Sequence, residues 1–206
     1  MQIKQPPFLT YYYVYEELML NLTKITKEIM VMKMDKNTKK SELEVKARQW
    51  LTERGVTLDD IAELVYYLQS SYHEDLSMED CLENVDQVLT KREVQNAILT
   101  GIQLDKLAEQ KLLDQPLQKT IETDESLYGV DEIIAFSIVN VYGSIGFTNY
   151  GYIDKQKPGI LERLNDKSTG ECHTFLDDIV GAIAAAASSR LAHATADTGL
   201  IEDNLG

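Results

Sequence analysis

Two pairs of adjacent carboxylates open strongly apolar stretches of the chain: Asp131-Glu132 in GVDEIIAFSIVNVY and Asp177-Asp178 in TFLDDIVGAIAAAASSRLA. A helix that is apolar on all sides lies at the centre of a domain. Carboxylates there need cations or hydrogen-bond donors, since an unpaired buried charge costs on the order of several kcal/mol. Acids in a first turn also complement the helix dipole, which accounts readily for one acid per helix and less well for two. An all-oxygen cluster with no His or Cys at ligand spacing suits Mg2+ or Mn2+ over zinc.

Between the pairs lies YGSIGFTNYGYIDKQKPGIL. Its glycines, among them Gly143 and Gly146, are expected in a loop whose backbone amides can approach an anion. Asp154 and Lys157 follow, just before a helix that Pro158 opens. A lysine beside carboxylates supplies the point charge that a phosphate needs on its non-bridging oxygens. His73, His173 and His193 have no ligand spacing among themselves. Cys172 and His173 are neighbours whose side chains diverge, which argues against a Cys–His nucleophile.

The elements that must position these groups read as helices. Thr57 with Asp59 and Asp60, and Ser77 with Glu79 and Asp80, are N-terminal helix signals. Ile61, Leu64, Val65 and Leu68 then recur at helical spacing. Residues 91–113 predict a helix with Gly101 inside it, and further helices are expected near Val130, over 158–165 and from Thr174. No segment alternates with period 2, so the expected fold is all-α: a single-domain helical bundle with a central apolar helix surrounded by others. The domain is expected over residues 41–195, with a C-terminal tail at 196–206. Residues 1–40, rich in Tyr and ending near Met30, Met32 and Met34, read as an N-terminal extension. That extension is either a docking arm or the product of an over-long start.

With 34 acidic against 20 basic residues and a net charge of −14, the composition argues against nucleic acid and against a polybasic lipid-binding surface. Two widely separated cysteines and the lack of a signal-peptide pattern fit a reduced cytoplasm. Residues 133–153 carry no charge, but glycines interrupt the second half. A buried core helix running into a loop, and no transmembrane segment, is the expectation.

Residues 41–195 resemble the phosphatidylglycerophosphatase A family, specifically its soluble branch in Gram-positive bacteria, the YutG-like proteins. The matching pieces are Asp131-Glu132 opening an apolar helix, the D-x-x-K-P element Asp154, Lys157 and Pro158, and the D-D-I-V element Asp177, Asp178, Ile179 and Val180. The S-P-x-x-P-G-T element and the several spanning helices of membrane-bound members are not found here. The resemblance implies an all-α bundle and Mg2+-dependent removal of the terminal phosphate of phosphatidylglycerol phosphate in lipid metabolism. The expected activity is that of a metal-dependent phosphatase acting on a phosphate monoester, either a small molecule or a lipid headgroup. Glu132, Asp177 and Asp178 are the expected metal ligands. Asp131 or Asp154 would complete the shell or orient water, and Lys157 with the amides of Gly143 and Gly146 would hold phosphate. Two other classes stay open. One is an all-α nucleoside-triphosphate pyrophosphatase, although that class prefers acids at i, i+3 spacing. The other is a non-catalytic oligomeric protein with an inherited carboxylate site. Peripheral membrane contact and a homo-oligomer are further expectations. For one ion to take ligands from both acid pairs, the two helix starts must lie side by side.

Overall fold

The computed structural model describes residues 40–202, with side chains as far as residue 194. The expected N-terminal extension therefore lies outside the described residues, Lys40 apart. From Glu42 onward the chain forms one compact unit. Its helices are α1 (Glu42–Glu53), α2 (Leu58–Gln69), α3 (Met78–Leu89), α4 (Arg92–Glu109), α5 (Leu117–Glu122), α6 (Val130–Val139), α7 (Gly143–Gln156), α8 (Ile160–Leu164) and α9 (Leu176–Glu202). Short 3-10 turns occupy Asn140–Tyr142 and Lys167–Thr169, and the described residues contain no strand. The fold is all-α.

Local chemistry sets the helix starts. Thr57 and Ser77 each form a reciprocal capping box, with Asp60 and Asp80 respectively. In the first, the Thr57 hydroxyl accepts from the Asp60 amide at 3.1 Å while Asp60 Oδ2 accepts from the Thr57 amide at 2.7 Å. Two orphan amides are thereby satisfied at each helix start.

The centre of the domain is α9. Every residue from Cys172 to Ser189 is buried, and α2, α3, α4, α6, α7 and α8 all pack against this helix. The buried stripe of α4 runs Val94, Ile98, Gly101, Asp105, Ala108, and its two odd members explain how α9 is seated. A Cβ on Gly101 would run into the Cδ1 of Ile179 and come within 2.9 Å of the Phe175 Cβ. The absence of a side chain lets α4 lie directly on the start of α9. One turn on, Asp105 accepts hydrogen bonds from the amides of Phe175 and Leu176, both at 3.1 Å. The α9 N-terminus is capped from another helix. The expected tail at 196–206 begins inside α9, which continues to Glu202.

Residues 130–156 depart from expectation in two ways. First, α6 is not apolar on a fully buried surface: Asp131, Ala135, Ile138 and Val139 are buried, whereas Ile133 is 62% exposed. Second, the expected glycine loop is helix α7. Glycine lowers helix propensity by only about 1 kcal/mol per residue, which packing overrides. The uncharged stretch is nevertheless not one continuous rod. Phe136 makes edge contacts with Phe147 (5.5 Å) and Tyr150 (5.4 Å), although a straight helix would separate Phe136 and Tyr150 by about 21 Å. The chain folds back at Gly143, whose φ of +73° is open to glycine. The other member of the expected pair, Gly146, allows the two arms to touch, since a Cβ there would lie 3.0 Å from Val139 Cγ1.

Gly101→Ala is expected to destabilise the domain by about 1–3 kcal/mol, the usual range for overpacking a full core. Urea unfolding followed by circular dichroism will read this as a lower midpoint, whereas an unchanged midpoint would mean that α4 and α9 part without loss.

Candidate functional site

The hairpin of α6 and α7 places the start of the first beside the end of the second, and α9 begins at the same end of the bundle. Helix α7 terminates at Lys157, whose backbone adopts the left-handed conformation (φ 44°, ψ 51°) while its amide bonds Ile153 O at 2.8 Å. A non-glycine residue there costs about 1–2 kcal/mol, and the following proline disfavours helical backbone at this residue as well. The turn delivers the side chain into a set of carboxylates. Lys157 Nζ lies 2.7 Å from Asp154 Oδ1, 2.8 Å from Asp177 Oδ2 and 3.6 Å from Asp178 Oδ1.

Asp131, Asp177 and Asp178 are all buried. Burial, and then the charge of Asp177, push the Asp178 carboxyl up to about 8, although Lys157 opposes them. Asp177 is also raised by burial, with Lys157 pulling the other way. Asp131 is raised chiefly by burial, against the Glu132 amide, which donates to Asp131 Oδ1 at 3.0 Å. Burial disfavours the Lys157 ammonium, but Asp177, Asp154 and Asp178 more than offset it and hold the lysine charged. Four carboxyl groups thus stand around one ammonium, which cannot compensate all of them in their ionised form. Tyr150 adds a buried hydroxyl that faces Asp178, its ring 3.7 Å from where a Cβ on Gly181 would stand.

Asp131, Asp154, Lys157, Asp177 and Asp178 therefore come together as expected. Three expected residues do not join them. Glu132 is exposed, because Asp131 takes the inward position on α6 and its neighbour is rotated by about 100°. Gly143 and Gly146 lie towards the opposite end of α7, about 21 Å and about 16 Å from Lys157 by helical rise. Tyr142 there accepts a hydrogen bond (2.9 Å) from Ser189, far along α9 from its acids. Gly146 packs, and neither glycine is placed to hold phosphate beside Lys157. Among the described residues, no three His, Cys, Asp or Glu side chains form a ready-made metal cage.

The structure adds groups that the sequence pattern does not single out. Beside Asp177 opens a cleft of about 350 Å³ lined by Glu122, Asp124, Lys167, Glu171 and His173 among others. Lys167 Nζ pairs with Asp124 Oδ2 at 3.1 Å, and the charge of Asp124 reaches both Asp131 and Asp177. Cys172 and His173 do diverge: the thiol is buried against Ile121 O and Thr174, and burial raises it to about 11. Asp105 carries a signal of its own, an acid at the i+4 position of an otherwise apolar stripe.

The family described as Phosphatidylglycerophosphatase A matches residues 46–193, and the chain belongs to that family. The chain is 72% identical over 160 residues to the uncharacterized protein YutG of Bacillus subtilis (strain 168), spanning 78% of this chain and 96% of that protein. Among solved structures, a protein of unknown function from Bacillus stearothermophilus is 79% identical with a TM-score of 0.72, covering 73% of this chain and 93% of its own. The low temperature requirement C protein from Listeria monocytogenes is 69% identical with a TM-score of 0.75, covering 76% and 99% respectively.

The charge cluster dictates a pH dependence in chelator-treated protein. The folded-state value of Asp178, about 8, lies above its ordinary 3.8, so the native state holds a proton that the unfolded chain has released. Stability from this group is complete below about pH 4 and is lost as the pH rises towards 8. Thermal melts between pH 5 and 8.5 should show wild type losing more stability than Asp178→Asn. Parallel pH profiles for the two would contradict the assignment.

Proposed function

We propose that this member of the phosphatidylglycerophosphatase A family is a divalent-metal-dependent phosphatase that hydrolyses a phosphate monoester at the Lys157 cluster. The observation that carries the reading is the lysine ammonium held among Asp154, Asp177 and Asp178 at the converging ends of three helices. An all-oxygen donor set with an excess of negative charge fits a hard cation such as Mg2+ or Mn2+. Held by Asp177 and Asp178, such an ion would supply Lewis-acid charge to the phosphoryl group. Asp131, buried and raised above the ordinary carboxylate range, stands beside the cluster where exposed Glu132 does not, and keeps its expected role as the group to orient water and accept its proton. Asp154 positions Lys157, whose ammonium meets the non-bridging oxygens of the phosphate as charge builds on them. The family supports phosphatidylglycerol phosphate as the substrate. Two free, buried cysteines support a cytoplasmic setting. Exposed Val130, Ile133 and Phe147 support peripheral membrane contact or association into a homo-oligomer.

Release of inorganic phosphate from phosphatidylglycerol phosphate in mixed micelles, with and without Mg2+, tests the reading. Asp178→Asn and Lys157→Ala should each lower kcat/KM by about 10²–10³, the usual loss on removing one electrostatic stabiliser. Full divalent-dependent activity in Asp178→Asn would sink the assignment, and pyrophosphate release from a nucleoside triphosphate would favour the other enzyme class. Millimolar Mg2+ should also raise the Tm of wild type and leave that of Asp178→Asn unchanged, because a ligand of the native state stabilises it by linkage.

A further inference from the structure

Tyr150 lies one turn before Asp154 on α7, so the two side chains share a face of that helix. Asp178 and Gly181 share a face of α9 in the same way. The Tyr150 ring stands where these faces meet. Its Cε2 is 3.7 Å from the point a Cβ on Gly181 would occupy. An edge contact with Phe136, centroids 5.4 Å apart, holds the ring from another side. The residue is 3% exposed, and its hydroxyl oxygen is shut off from solvent. Among the described residues no backbone carbonyl takes the hydroxyl hydrogen, and the group it faces is the Asp178 carboxyl. A buried phenol with nothing to bond is costly, and phenylalanine would fill the same space without that cost. Packing alone does not account for the oxygen.

The lysine of the cluster divides its donors unevenly. Lys157 Nζ reaches Asp154 at 2.7 Å and Asp177 at 2.8 Å, but stands 3.6 Å from Asp178 Oδ1, too far for a hydrogen bond. Of the three acids around the ammonium, Asp178 is the one left without a close donor from it. The phenol is the donor placed on that side. Burial, and then the charges of Asp178 and Asp154, keep its hydrogen in place. We propose that Tyr150 is a positioning residue for the metal ligand Asp178: its hydroxyl donates to the carboxylate, fixes the plane of that group and leaves one oxygen free for the divalent ion. This role rests on the metal reading above and names the chain's own device for aiming one of its ligands. Carboxylates that bind metals are held in turn by such hydrogen bonds, and losing one typically costs about 10–100-fold in metal affinity or activity.

Tyr150→Phe keeps the ring and removes only the oxygen, so Mg2+ and Mn2+ titration calorimetry on the full chain, without substrate, tests the role. Kd for either ion should rise by about 10–100-fold, the usual worth of a bond that orients a ligand. The Tm of the metal-free variant should stay close to that of wild type. A merely structural hydroxyl gives the opposite pattern, a lower metal-free Tm with Kd unchanged, and that result overturns the proposal. A second readout needs wild type alone and so survives a variant that does not fold. In protein labelled at tyrosine Cζ, the 13C resonance of Tyr150 should move downfield on adding Mg2+, as the phenol bonds an ionised carboxylate. A Tyr150 resonance that ignores saturating Mg2+ overturns the proposal as well. Equal Kd values in wild type and Tyr150→Phe remove Tyr150 alone and leave the metal reading standing. If wild type binds neither Mg2+ nor Mn2+, the metal reading fails and the positioning role falls with it.

Discussion

Asp105 reaches from the C-terminal part of α4 to the amides of Phe175 and Leu176, and the seating of α9 follows from that contact. Helix α9 begins in a fully buried place, where no water can satisfy its first amides, so a side chain must. Burial pushes the Asp105 carboxyl well above its ordinary range, and the Phe175 amide, the Arg54 charge and the Leu176 amide offset only part of that rise. The carboxyl oxygens and the helix start therefore satisfy each other's hydrogen bonds, which burial would otherwise leave unmade. Gly101 makes the contact possible by removing the one side chain that would hold the helices apart. Because Asp177 and Asp178 are the first acids of α9, the same contact that seats the helix also fixes where its carboxylates stand.

Around those carboxylates the structure runs against ordinary surface electrostatics. The chain is strongly acidic, with a net charge of −14, yet it concentrates acids at one end of the bundle and gives them a single lysine. Lys157 sits in a left-handed conformation that glycine would adopt more easily. A strained backbone holding a half-buried ammonium between carboxylates is an arrangement for positioning charge, since a packed apolar group would stabilise the fold at least as well.

Much of this was legible in the residues, and the limits have physical causes. The capping boxes at Thr57 and Ser77 could be read because they depend on four consecutive residues. The acid pairs stood out because carboxylates at the head of apolar helices need partners, and the D-x-x-K-P turn because it resembles the family's element. What failed depended on phase or on distance. Asp131 and Glu132 differ by one step around α6, and a helix with apolar side chains on both its buried and exposed faces gives no pattern to decide which acid points inward. Gly143–Gln156 looked like a loop because glycine is a poor helix former, whereas contacts from Phe136 and α9 outweigh that weakness. The Tyr150–Asp178 approach and the Asp105 cap join segments that no local spacing relates.

The position of α9 in the chain has a consequence for how the protein is made. The helix around which α2, α3, α4, α6 and α7 are arranged is synthesised after all of them. At about 5–20 residues per second, the ribosome takes roughly 7–30 s to pass from Glu42 to Ser189. Throughout that interval the emerging helices have apolar faces and nothing central to lay them against. The nascent chain is thus a set of half-formed walls, vulnerable to association with its neighbours on the same messenger. The cluster around Lys157 is complete only once this last helix, which carries Asp177 and Asp178, is in place.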